Sequence, residues 1–224
     1  MKNIFLPLLF LIYSFPIFGE SAPAKFNVKE KSLISSIKFP QTKGDISIII
    51  NCSGVILKNN KIKFFNCYKN QPGDEVYIQE IYKAHKKARF QPAVFNNKKE
   101  DAFVQFRIKF EKKNDNELIS IINNIGYEEN VIAYGLNHIG AQRLVGKEIW
   151  QKLCPKYNRY TIITKTHINN LGQASNSSIS SSKGIPVNKK CINSIVDTLN
   201  SSIYIPAFVN GNYVPSTYVE VFGN

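Results

Sequence analysis

Four cysteines and three histidines are the residues here whose types could do covalent or metal chemistry: Cys52, Cys67, Cys154 and Cys191, with His85, His138 and His167. In sequence a structural metal site is announced by closely spaced ligands. No Cys-x-x-Cys occurs and the histidines stand singly, so no metal site is read. Nucleophilic catalysis fares no better. There is no Gly-x-Ser-x-Gly, no cysteine matched to a histidine in a supporting context, and no glycine-rich phosphate loop behind a strand. The adjacent acids Asp74–Glu75 and Glu128–Glu129 lie beside turn residues and read as solvated charges. The chain therefore reads as non-catalytic and without a cofactor. What is left for the cysteines is disulfide formation, which needs an oxidising compartment.

The N-terminus predicts such a compartment. Lys2 precedes an uncharged run from Ile4 to Phe18, followed by Gly19, Ser21, Ala22 and Ala24. A basic start, a short apolar segment and a small-residue exit describe a secretory signal peptide over residues 1–19. Pro7 and Pro16 interrupt the run, which is short for a membrane span. An uncleaved inner-membrane anchor is the alternative. With 224 residues, 43% hydrophobic, the chain is a folding protein of one large domain or two small ones. Its net charge of +13 favours anionic partners or surfaces.

Four cysteines allow three pairings. Residues 45–58 and 61–68 are β-branched and aromatic runs separated by Asn59-Asn60, which suits a two-residue hairpin turn. A turn centred there sets Cys52 directly opposite Cys67, close enough for a bridge. Beyond a turn-rich loop, Tyr77, Ile81, Ala84 and Ala88 recur at helical spacing with Lys83, Lys86 and Lys87 off the stripe. Pro92 ends the helix. After Asn96-Asn97, residues 103–110 alternate, with Val104, Phe106, Ile108 and Phe110 on one face and Gln105, Arg107 and Lys109 on the other.

The same series recurs further on. Residues 159–168 predict a strand, Asn169–Gly172 a turn, 173–180 a serine-rich strand and 181–186 a loop. Ile192, Ile195, Val196 and Leu199 then mark a helix face, followed by Tyr204-Ile-Pro-Ala, the turn Asn210-Gly211 and a last strand at 213–222. The corners Phe90-x-Pro92-Ala93 and Tyr204-x-Pro206-Ala207 thus belong to one duplicated unit. Residues 116–126 and 140–155 predict two helices joining the copies. Cys154 and Cys191 fall at the same end of the second hairpin, which makes them the natural remaining bridge. The expected class is α+β: two tandem units at 44–113 and 159–224, an N-terminal segment at 20–43 and a helical connector at 114–158.

This unit resembles the C-terminal domain of TonB, the periplasmic energy transducer. The resemblance rests on the order hairpin, helix, Arg89-Phe90-Gln91-Pro92-Ala93 or Ile203-Tyr204-Ile205-Pro206-Ala207, turn and final strand. Paired hairpin cysteines also occur in one branch of that family. It implies a binding module in which the final strand is a sheet edge, and the TonB box of an outer-membrane receptor adds to it as an extra strand. The candidate edges are then 103–110, with Gln105, Arg107 and Lys109 facing outward, and 213–222. Charges on an edge strand also serve simply to block aggregation. The expected role is a periplasmic adaptor linked to outer-membrane transport.

Two alternatives stand beside it. One is an anchored transducer, although no Pro-rich spacer lies between Glu20 and Lys43 and no histidine precedes His85. The other is a basic surface of Lys83, Lys86, Lys87, Arg89, Lys98 and Lys99 holding an anionic membrane surface or other envelope polyanions. Nucleic acid is disfavoured as a partner, since the strands offer no evident aromatic platform.

Overall fold

The structure is a computed structural model and describes residues 20–26, 31–146, 148, 150–155, 160–184 and 187–223. The expected signal peptide at 1–19 lies outside them. The chain is α+β, mostly antiparallel strand with a few short helices.

The first half runs α1 (Leu33–Ser36), β1 (Ile46–Ile56), β2 (Ile62–Tyr68), α2 (Glu75–His85), β3 (Ala93–Phe95), β4 (Lys98–Glu100) and β5 (Ala102–Lys113). β6 (Asn116–Ile122), α3 (Glu128–Tyr134), β7 (Gln142–Leu144) and α4 (Trp150–Leu153) follow. The second half is β8 (Tyr160–Ile168), β9 (Ala174–Gly184), α5 (Lys189–Ser201), β10 (Tyr204–Ile205), β11 (Ala207–Val209), β12 (Asn212–Val214) and β13 (Ser216–Gly223). One sheet has the order β10-β7-β5-β1-β2 with β6 also on β5; a second has the order β13-β8-β9. Each is covered on one face by a helix. Tyr77, Ile81 and Ala84 of α2 meet Val104, Phe106 and Phe110 in the first core, and Ile195 and Leu199 of α5 meet Ile162, Tyr218 and Phe222 in the second.

Both disulfides form: Cys52–Cys67 and Cys154–Cys191. The route to the first differs from the sequence expectation. The hairpin loop has three residues, closed by Leu57 N–H donating to the Lys61 carbonyl (2.8 Å), with Asn60 at φ 67°. Ile56 therefore pairs with Ile62, one step off the expected register. A β-bulge then puts an extra residue into β2, with Phe64 at φ 50°, and restores Cys52 opposite Cys67. Two departures cancel.

Three expectations are corrected outright. Residues 116–122 form no helix: Asn114 and Asp115, both at positive φ (50° and 63°), make a tight turn into β6, which pairs with β5. Ile119 and Ile121 alternate onto the core while Leu118 is exposed, so the segment keeps a strand period where a helical one is expected. In the second predicted helix, Gln142–Leu144 is a strand, and helix is confined to α4 among the described residues. β9 runs on to Gly184, taking in serines expected in a loop.

The segment before β1 is built into the fold. Ala22 and Lys25 pair with Val94 and Gln91 at the first corner, and Phe26 is buried against Phe90 and Phe106. At the second corner Ile139 pairs with Phe208, and β7 with β10. Each corner is also tied to its hairpin turn. Phe90 N–H donates to the Asn60 carbonyl (3.0 Å) and Tyr204 N–H to that of Gly172 (3.2 Å). Gly172, at φ 79°, is required there, because a Cβ would lie 2.1 Å from the Tyr204 carbonyl oxygen.

Candidate functional site

The edge proposed from Gln105, Arg107 and Lys109 is not an edge. β5 is an inner strand, with β1 along one side and, on the other, β7 at 102–103 and β6 at 107–113. The sequence pattern concealed this because β6 and β7 read as helix. The outward side chains have internal duties instead. Gln105 donates from Nε2 to the Val219 carbonyl, and Lys109 is paired with Glu111 (2.6 Å). Arg107 donates to the backbone and side-chain oxygens of Asn124 (3.3 and 3.1 Å). Burial lowers the Arg107 pKa without an acid to offset it.

The second candidate strand is an edge from Ser216 onward; Tyr213 and Val214, expected in it, belong instead to β12 and pair with β11, with Pro215 between the two strands. β13 pairs with β8 alone, in one unbroken register from Ser216–Ile168 to Gly223–Thr161. Tyr218, Glu220 and Phe222 are buried, and Thr217, Val219 and Val221 lie half-buried on the opposite face. Thr217 N–H donates to Asn130 Oδ1 (3.1 Å) and its carbonyl accepts from Asn130 Nδ2 (2.8 Å). That fixes the direction of its backbone groups, away from β8. In a regular strand the same direction recurs at every second residue, so Val219 and Val221 also point outward. The Val219 carbonyl is met by Gln105; Val221 has no hydrogen bond on this side among the described residues.

The open stretch borders a cleft of about 410 Å³. Its floor is the outer face of the first sheet, with Ser53, Val55, Asn66, Tyr68 and Phe103, and its far wall holds Trp150 and Val145 beside Val221 and Phe222. Phe64 stands at the rim, 81% exposed, in a left-handed conformation that few bulky side chains adopt. The β-bulge that re-registers the hairpin accounts for this conformation and turns the ring outward at the cleft.

At the cleft's base Arg143 reaches three ways. Its Nε and Nη2 clasp both oxygens of Glu220 (2.8 and 2.7 Å), and Nη1 donates to Glu148 (2.7 Å). Tyr218 Oη adds a bond to Glu220 (2.8 Å), and Trp150 Nε1 donates to Glu148 (2.5 Å). Burial alone pulls the Arg143 pKa down, but the adjoining Glu220 carboxylate reverses this and holds it above its ordinary value. Burial and the same carboxylate raise Tyr204 and Tyr218. The polar base is thus internally satisfied, and the rest of the lining includes Phe64, Phe103 and Trp150.

Of the basic residues, Lys83 pairs with Glu80 (2.6 Å), whereas Lys86, Lys87, Arg89, Lys98 and Lys99 are exposed behind α2 and on β4. Lys99 lies opposite Val94, so the charges flank the first corner. Among the described residues no group of acids, histidines and cysteines could hold a metal ion, and no helix is long and apolar enough to cross a membrane.

Two histidines are shielded from water. His138, 3% exposed, donates from Nδ1 to the Gly135 carbonyl (2.7 Å), and His85 stacks on Phe65 (4.5 Å between centroids). Burial lowers both pKa values. The unfolded chain therefore binds more protons than the folded one in mild acid. Stability is expected to hold above about pH 6.5 and to decline as pH falls below it. Urea midpoints at about pH 7.5 and 5.5 would show this, with a smaller decline in a double His85→Gln, His138→Gln variant. An equal decline in both proteins removes the histidines as its cause.

Compared with protein-family models, curated proteins and solved structures, the chain matches none.

Proposed function

We propose that the protein is an exported, non-catalytic adaptor of the TonB C-terminal type, built of two tandem units. It holds an extended segment of an envelope protein along the free edge of β13 in a bacterial periplasm. The observation that carries this reading is the outward backbone at Val221, open beside an aromatic cleft. Backbone pairing supplies affinity in such a site, and pockets for alternate side chains supply selectivity. The cleft fits a bulky apolar side chain of the incoming strand. Support for the family comes from the two halves passing through the same elements, hairpin, helix, corner, short hairpin and final strand. The outer-membrane receptors that present such segments make a link to transport the natural setting.

The test is Val221→Pro. Its lost N–H points away from β8, so the ladder of the second sheet stays intact. The variant is expected to keep its near-ultraviolet circular dichroism and thermal midpoint while losing a partner captured from envelope extract by the unaltered protein. Phe64→Ser, at a solvent-exposed position, should weaken capture without changing stability. A folded Val221→Pro variant that captures the same partner equally well excludes this edge as the site.

A further inference from the structure

We propose that α3 is a detachable cap on the edge of β13, occupying the place a partner strand would take until it is released as a unit. This rests on the reading of β13 as the partner-binding edge. Asn130 meets both backbone groups of Thr217, giving that residue the two bonds that an antiparallel neighbour would give. One turn on, Tyr134 Oη donates to the Pro215 carbonyl (2.6 Å). The helix therefore lies along 215–217, while the edge at Val221 is open.

The attachment is polar and thin. No residue of α3 is buried, and Ile132 is 78% exposed. Few buried apolar contacts mark a segment able to open far below the free energy of global unfolding. Its boundaries are also set for movement as one piece. Gly126 and Gly135, at φ 72° and 77°, flank the helix. The neck of the loop is tied by buried Asn124, whose Nδ2 donates to the carbonyls of Leu136 and His138 (2.9 Å each) while its Oδ1 accepts from Arg107 and Gly126. A loop closed at its neck and held at its tip only through the side chains of Asn130 and Tyr134 can swing as a unit once those bonds open.

The first half shows what belongs on this edge. Ala102 and Ser216 stand at equal distances behind Pro92 and Pro206, which matches Phe103 to Thr217 and Arg107 to Val221. Phe103 pairs outward with β7, and Arg107 with Ile122 of β6. Where β5 carries true strands, β13 carries a side-chain imitation at Thr217 and nothing described at Val221.

The experiment uses the intact protein, Asn130→Ala and Tyr134→Phe, with a synthetic peptide of residues 116–122, the β6 sequence, as the probe. In the free protein, Thr217 amide exchange is expected to rise about tenfold in Asn130→Ala and less in Tyr134→Phe, with the α5 amides unchanged. The probe is expected to bind Asn130→Ala about three- to tenfold more tightly than the intact protein. Unchanged Thr217 exchange in both variants overturns the cap. So does faster exchange with equal probe affinity, since the helix then obstructs nothing. Faster exchange with no probe binding to any of the three proteins upholds a detachable cap and sinks the partner-edge reading.

Discussion

Replacing Arg143 by methionine is expected to cost about 3–5 kcal/mol of folding stability, the range for removing one partner of a buried pair. The loss comes from what remains. Glu220, 4% exposed, would keep only the Tyr218 hydroxyl, and Glu148 only the indole of Trp150. The position matters as much as the charge. β7, which carries Arg143, pairs with β5 on one side and β10 on the other, and the guanidinium reaches on to β13. One residue thus joins both sheets. Urea denaturation of Arg143→Met, Glu220→Gln and the double variant would measure the coupling, expected at about 2–3 kcal/mol. A cost below about 1 kcal/mol for Arg143→Met would show the pair to be as weak as a surface ion pair.

The second large effect is expected from the Cys154–Cys191 bridge. Its sequence separation is 37, against 15 for Cys52–Cys67. Closing the longer loop restricts the unfolded chain more, and the chain-entropy relation gives about 4 kcal/mol for it and about 3 for the shorter one. Alanine pairs at each bridge should lower the denaturation midpoint in that order. The reverse order would mean that native-state packing around Cys52 outweighs chain entropy. Packing also argues for the larger loss at Cys191, which is fully buried at the start of α5 and ties that helix to α4.

The repeated elements were legible where a local signal coincided with a periodic one. The stripe Tyr77, Ile81 and Ala84 is the buried face of α2, and Asn96-Asn97 and Asn210-Gly211 are the turns of the two short hairpins, all four residues at positive φ. β6 was missed because seven residues with four large aliphatics satisfy either period; the Asn114-Asp115 pair before them was the deciding signal. That one miss moved the site. With β6 taken for a helix, β5 looked like an edge, whereas of the two candidate strands it is β13 that lies at one. The cap could not be foreseen in the same way. Asn130 and Thr217 are 87 residues apart, and no local pattern announces that an asparagine on one element will imitate a strand for another.

The stitching of one half into the other also sets an order of events. Ala24 exchanges two hydrogen bonds with the Gln142 side chain, Tyr213 donates to the Ser21 carbonyl, and Ile205 sits in the first hydrophobic core. A chain emerging vectorially presents residue 21 long before residue 213. The earliest segment must therefore wait, incompletely sheltered, until almost all the rest has appeared. Closure of such distant contacts is slow, so final consolidation becomes a late step. During that interval an exposed first sheet would be the species most in need of a chaperone.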